Sequence, residues 1–456
     1  MGKRLAVVLA AGKGTRMKSS LPKMLHAING LSMVEHVIRA VQQSQVEDIV
    51  SIVGFGSEQV EAVLGERSTY AYQAEQLGTG HAVLQAKDLL GNKAGSTLVI
   101  CGDTPLLTSK TLNQLFEAHE QSGSSATILT AIVDDATGYG RVIRDSNQAV
   151  VKIVEQKDAS ETELSVREIN TGTYVFDNQK LFAALERVTN NNAQGEYYLP
   201  DVVEIMKNDG NLVSAHILED MEEAIGVNDR VALAKAGQTL TRRINEEHMR
   251  NGVTLINPLT TYIEVDVQIG SDTIIEAGVS LKGQTTIGSN CFIGANSEID
   301  SSVVSDNVEI KQSVVEYSHI DEHATVGPFA HLRPKSVIGE AVHIGNFVEV
   351  KNSTLGANTK AGHLTYIGDA DLGEDINVGC GTIFVNYDGK HKHRSTVGNQ
   401  AFIGCNANIV SPVNIGKRTF IAAGTTVTKD VEDEALAISR VDQRNIANYW
   451  KKLQNK

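Results

Sequence analysis

From residue 263 to residue 427 an aliphatic side chain keeps returning at every sixth position, a period that few polypeptide architectures accommodate. One run holds Ile263, Ile269, Ile275, Leu281, Ile287, Ile293 and Ile299, and a second holds Ile320, Val326, Leu332, Ile338, Ile344 and Val350. After slips near residues 300–315, 355 and 367 the step resumes at Leu372, Val378 and Phe384, then from Val397 through Ile403, Ile409, Ile415, Ile421 and Val427. A glycine often follows the aliphatic residue, as in Ile287-Gly288, Ile344-Gly345 and Ile415-Gly416, which suits short strands joined by tight turns around a stacked core. This half therefore reads as a hexapeptide β-helix with one inserted loop between Phe384 and Val397. Such a solenoid has flat faces and open ends, so association into a closed oligomer is expected.

The first half follows a different rule. Up to about residue 230, apolar strands such as Leu5 to Leu9, Ile49 to Val53, Leu98 to Ile100 and Ile128 to Val133 alternate with helical spacings. Met33, Val34, Val37, Ile38 and Val41 form one such face, and Leu112, Leu115, Phe116 and His119 another. The alternation predicts an α/β doubly wound nucleotide-binding domain. The expected organisation is this domain over 1–228, a linker helix over 229–250, the β-helix over 251–437 and a tail over 438–456, with Asn251-Gly252 as the helix stop.

The net charge of -14 argues against general affinity for nucleic acid or anionic lipid, so any phosphate chemistry must rest on local basic pockets. No apolar stretch reaches the ~18 residues of a membrane span, and membrane insertion is not expected. Cys101, Cys291, Cys380 and Cys405 lie far apart without metal-ligand or disulfide-framework spacing, which fits a reducing cytoplasm.

The segment from Leu9 to Lys23 carries the strongest local chemistry. Gly12 and Gly14 directly after an apolar strand let the backbone curl so that its N–H groups converge on phosphate oxygens, and Arg16 and Lys23 neutralise them. Met17 stands where the dinucleotide fingerprint needs its third glycine, and the Walker pattern is absent. The segment predicts a nucleoside triphosphate site. Asp103 follows the strand ending at Ile100, where open α/β sheets bind ligands.

The order Leu9 to Met17, Pro22-Lys23, Cys101-Gly102-Asp103, Gly138-Tyr139-Gly140-Arg141 and then a hexapeptide β-helix with His363 resembles, over essentially the whole chain, the bacterial bifunctional N-acetylglucosamine-1-phosphate uridylyltransferase and glucosamine-1-phosphate acetyltransferase family. The resemblance implies a left-handed β-helix, a cytoplasmic homotrimer and a cell-wall precursor, UDP-N-acetylglucosamine, as product. Its small-molecule substrates are glucosamine 1-phosphate, acetyl-CoA and UTP.

For the first half the resemblance implies catalytic Arg16 and Lys23, Mg²⁺ held by Asp103 and Asn228, and a UTP and UDP-sugar site. That site comprises Leu9, Ala10, Ala11, Gly12, Lys23, Gln73, Gly78, Thr79, Cys101, Gly102, Asp103, Gly140, Glu155, Asn170 and Asn228. Two oxygen ligands with phosphates and waters suit this hard cation. For the second half it implies His363 as catalytic base, a role that a neutral imidazole can fill. Arg333, Lys351, Tyr366, Asn377 and Lys392 are implied for glucosamine phosphate, and Cys380, Asn386, Tyr387, Cys405, Ala423 and Arg440 for acetyl-CoA. Cys101, Cys380 and Cys405 depart from the family's usual residues.

The inserted loop carries Lys390, His391, Lys392, His393 and Arg394, a cationic cluster in an acidic protein that suits an anionic ligand. Trp450 is expected to anchor the tail on a neighbouring subunit. Two other readings remain open on sequence: a sugar-nucleotide pyrophosphorylase with a structural β-helix, and a non-catalytic nucleotide sensor.

Overall fold

A computed structural model describes residues 2–454. The chain forms two compact units, one reaching Leu240 and the other starting at Thr241.

In the first unit, β1 (Arg4–Leu9) leads towards α1 (Met33–Gln43), followed by β2 (Asp48–Val53), β3 (Thr69–Tyr72), β4 (Ser96–Cys101), α2 (Ser109–Ser122), β5 (Ala126–Ile132), β6 (Glu168–Asp177) and β7 (Val213–Ile217). The sheet order is β7-β5-β6-β4-β1-β2-β3, with a hairpin of Arg141–Arg144 and Val150–Val154 beside β6. All pairings along this path are parallel except those of β6 with β4 and β5, so the sheet is mixed. Strands β1 and β4 are apolar from Leu5 to Leu9 and from Leu98 to Cys101 because both faces are covered: Ala6, Val8, Leu98 and Ile100 pack under α1 and α2, and Val7 and Val99 join the opposite cluster. Helix α1 starts where Ser32 and Glu35 close a capping box. The strand order reverses between β1 and β4, and a crevice opens there at their carboxyl ends.

A helix over Arg230–Arg250 follows, and Gly252, at φ 94°, stands at its stop. Next come two- and three-residue strands that each pair in parallel with their counterpart one coil on. Ile263 stacks on Leu281, Ile269 on Ile287 and Ile275 on Ile293, so every coil feeds three aliphatic columns. Nearly all the periodic residues are buried, with Ile269 only half-buried near the first coils.

The slips have a structural cause. Val304, Ile310 and Val315 keep the core filled through residues 300–315, but some turns are one residue shorter. Each short turn has a residue with positive φ, followed by a serine in four of them, Ser301-Ser302, Gln312-Ser313, Tyr317-Ser318 and Asn352-Ser353, and by an alanine in the fifth, Asp369-Ala370. The serine hydroxyl donates to the carbonyl two residues earlier at 2.8, 2.6, 2.7 and 2.8 Å respectively, satisfying a backbone acceptor that the tightened turn would orphan. The inserted loop lies between the strands Ile383–Val385 and Ser395–Val397, in the coil that pairs Phe384 with Ile409.

Candidate active sites

The crevice at the ends of β1 and β4 has a volume of about 350 Å³, within the range of small-molecule sites. Gly14 has φ 61°, and a Cβ there would lie 2.4 Å from the Cβ of Lys23; this glycine lets the loop fold over the lysine stem. Lys23 is buried, and its ammonium ion-pairs with Asp103 and donates to Asn228 Oδ1 at 2.8 Å. Arg16 Nη2 reaches the same Oδ1 at 2.9 Å. Val227 N donates to the Asp103 carbonyl at 2.9 Å, a backbone link that brings Asn228 beside Asp103 across the intervening sequence. The carboxylate and the amide oxygen thus already converge on one cation, the Lys23 ammonium, and this hard-oxygen donor set fits a divalent cation such as Mg²⁺.

Leu9, Ala11, Gly12, Gln73, Gly78 and Thr79 also line the crevice, as does Cys101. Nothing lies within 4 Å of where a Gly12 Cβ would stand, leaving the backbone open to a ligand. Gln73 is buried and donates to the Gly78 carbonyl at 3.2 Å. Gly78, at φ 118°, presses on the Tyr197 backbone, and neighbouring Glu196 completes this wall; sequence reasoning missed both. Ala10 and Gly102 contribute through backbone only: Ala10 N reaches Ile52 O and Gly102 N reaches Leu9 O, each at 2.9 Å, fixing the strand ends. Burial, aided by Asp103 and opposed by Lys23, pushes the Cys101 thiol up to about 12, so it stays protonated.

Gly140, Glu155 and Asn170 form a second group on the same unit. Asn170 N donates to Gly140 O at 2.9 Å, and a Gly140 Cβ would stand 3.2 Å from Glu155 Oε1. Burial, reinforced by Asp158, Asp201 and Glu196, holds the Glu155 pKa above the usual carboxylate range.

In the β-helix, strands over His343–Lys351 and Lys360–Gly368 run side by side and set Asn346 against His363 and Glu349 against Tyr366. His363 is exposed, with Nδ1 2.8 Å from Asn346 Oδ1. Asn346 is a site residue that sequence reasoning missed. Arg333 pairs with Glu349 at 2.8 Å. Lys392 lies against Lys351 and, with burial, holds the Lys351 pKa below the ordinary lysine range; Arg333 adds to this effect. Three cations thus converge beside the strand that carries His363 and Tyr366.

Asp369, also unforeseen, is buried beneath them. Burial pushes its carboxyl up, but hydrogen bonds from Asn352 and Asn386, each at 2.5 Å, and the charges of Lys351 and Lys392 hold it below the ordinary range. Asn386 is buried and also reaches Tyr366 OH at 3.4 Å.

The inserted loop differs from the uniform cationic cluster read from sequence. Asp388 accepts from the Lys390 and His391 backbone and from His393, while Arg394 pairs with Asp371, so His393 and Arg394 serve to fold the loop. Tyr387 bridges to Lys392 across it, and Lys392 stands beside Lys351. Asn377 stands in register between Lys360 and Phe402. Arg440 donates to the Ala423 carbonyl at 2.5 Å, tying the tail to the column that contains Cys405.

The mixed α/β sheet with phosphate-type cations at its switch point and the histidine-bearing β-helix define a two-unit transferase. A nucleotidyl transferase family model matches residues 5–231, and the bacterial transferase hexapeptide model matches residues 266–301 and 394–429, which goes with a left-handed coil. The bifunctional protein GlmU of Enterococcus faecalis is 60% identical over 99% of both chains. That of Latilactobacillus sakei is 57% identical over 98% of this chain and 97% of its own, and that of Listeria monocytogenes 53% identical over 100% of both. The chain belongs to the GlmU family of bifunctional proteins and is an enzyme with uridylyltransferase and acetyltransferase activities. Among the described residues no helix is long and apolar enough to cross a membrane.

Proposed function

We propose that the chain acetylates glucosamine 1-phosphate with acetyl-CoA on the β-helix and then transfers UMP from UTP to the N-acetylglucosamine 1-phosphate, giving UDP-N-acetylglucosamine and pyrophosphate. The observation that carries this reading is the Lys351, Lys392 and Arg333 convergence beside a histidine whose Nδ1 is already held. Like charges are brought together at a cost that an incoming sugar phosphate removes.

With Asn346 accepting from Nδ1–H, the lone pair of His363 is on Nε2, which takes the proton from the sugar amine as it attacks the thioester. Asp369 fixes Asn386 and Asn352, and Asn386 contacts Tyr366 on the strand that carries His363. Cys380, Tyr387, Cys405, Ala423 and Arg440 take the coenzyme, and Asn377 and Tyr366 face the sugar.

In the crevice the nucleophile is a phosphate that is already ionised, so no protein base is needed. Arg16 and Lys23 neutralise the UTP phosphates, Gln73, Gly78 and Thr79 hold the uracil with Ala11 and Gly12, and Gly140, Glu155 and Asn170 hold the sugar. Asp103 and Asn228 hold Mg²⁺, which when bound offsets the phosphate charge. Flat faces of the β-helix suit a homotrimer, with Trp450 on a neighbouring subunit. Incubation of the chain with glucosamine 1-phosphate, acetyl-CoA, UTP and Mg²⁺ is expected to release free coenzyme thiol and form a UDP-sugar. Thiol release is lost in His363→Ala while N-acetylglucosamine 1-phosphate is still uridylylated. A folded wild-type chain that releases no thiol overturns the acetyltransferase half.

A further inference from the structure

The four cysteines divide into two kinds. Cys291 is buried, with its thiol pushed up by that burial, and Cys101 is held protonated in the crevice. Cys380 and Cys405, the second more exposed, lie on the outer side of consecutive coils, and the ladder puts them at the same height. Val378 pairs with Ile403, Gly379 N donates to Ile403 O at 2.7 Å, and Asn406 N donates to Cys380 O at 2.7 Å; the register that opens at Val378 therefore runs on through Cys380 against Cys405. The same position one coil earlier is His363, and one coil before that Asn346. The four residues form one outward column, with Ala423 next after Cys405.

Neighbouring rungs of a parallel ladder are about 4.8 Å apart, within the roughly 4.4–6.8 Å that a disulfide spans between Cα atoms. Their Cβ atoms must approach by about 1 Å to reach the usual separation, and both residues lie in turns beyond the paired strands, each tied to the next coil through its carbonyl, Cys380 O by Asn406 N and Cys405 O by Gly424 N.

We propose that Cys380 and Cys405 are a dithiol modification site, oxidised by a low-molecular-weight disulfide to an intramolecular disulfide that closes the acetyltransferase site and leaves the uridylyltransferase running. The thiolate of Cys405 attacks one sulfur of the oxidant RSSR and expels RS⁻, giving a mixed disulfide. The thiolate of Cys380 then attacks the Cys405 sulfur and expels the second RS⁻. The two protons of the protein thiols leave with these, so one RSSR and two protein thiols become two RSH and one protein disulfide. The effect on acetyl transfer rests on the proposed coenzyme site, because the bond draws together two residues against which the thioester would sit, one rung from His363. Displacement at that distance costs at least about tenfold in rate. Cys405 is exposed, so a small thiol can attack its sulfur and reopen the bond, as suits a reversible switch.

The test is to treat the full chain with oxidised glutathione and to read mass, peptide cross-links and both activities. The expected result is loss of two hydrogens in mass, a Cys380–Cys405 linked peptide, at least about tenfold slower acetyl-CoA turnover with unchanged UDP-sugar formation from added N-acetylglucosamine 1-phosphate, and full recovery with dithiothreitol. Cys405→Ser should show no mass loss of this kind, judged by mass alone. A persistent glutathione adduct without the linked peptide, a link between two chains, or a linked protein that still turns over acetyl-CoA at its reduced rate overturns the proposal. Because the link is read by mass, a chain that never transferred acetyl groups would refute the proposed function without obscuring the cross-link.

Discussion

At the scale of single residues, the two sites differ in how they hold charge. Lys23 is buried between Asp103 and Asn228, so Lys23→Met strands a carboxylate. We expect it to abolish uridylyl transfer and to lower stability by about 3 kcal/mol, read by urea denaturation, with acetyl transfer retained. His363 is exposed and its removal leaves no buried orphan. His363→Ala should cost acetyl transfer about 10²- to 10⁴-fold, measured as thiol release, with little change in stability. Asn346→Ala is a finer probe: it removes the acceptor on Nδ1 and frees the other tautomer, so kcat should fall about 10-fold or more while KM for acetyl-CoA stays near its original value.

At the scale of elements, loop geometry decides whether these residues meet. Gly14→Ala would force a Cβ into the Lys23 stem at a positive φ, and we expect uridylyl transfer to fall as far as in a Lys23 variant although no charge is altered. The helix over Asp201–Asn208 carries an acid whose burial, with Glu204 and Asp158 nearby, pushes its pKa to about 6. An unfolded aspartate titrates near 3.9, so the folded state loses stability as pH rises from about 4 to 6 and the full penalty remains above that. Asp201→Asn should therefore raise Tm at pH 7 and flatten this part of the pH dependence, by about 1 kcal/mol after solvent screening, checked by thermal melts at pH 4 and pH 7. The six-residue step of the β-helix was legible because only the inward residue of each strand must be aliphatic. Val304, Ile310 and Val315 were not, because short serine turns change the step without changing the core. Lys23 and Asp103 could be read from their motifs. Asn346 and Asp369 carry no motif: they join the site only because one coil lies on the next, and that register is invisible in a linear reading.

At the scale of the whole molecule, two compact units with separate cores predict two unfolding transitions. In calorimetry, UTP with Mg²⁺ should raise one and acetyl-CoA the other, each by about 2.7 kcal/mol at a hundredfold excess over Kd. A single transition moved by both ligands would sink the expectation. The coil-on-coil register has another consequence, for which changes of length the chain can survive. His363 meets Asn346 only while a whole coil separates them. Deleting one residue from that coil turns every later side chain to a different face unless a shortened corner absorbs the loss, as the serine corners do elsewhere. Removing an entire coil from the early stem, between Ile263 and Leu281, keeps all later faces aligned and shortens only the shaft beneath the histidine. Length variation in such a chain should come in whole coils or at serine corners, and scarcely anywhere else.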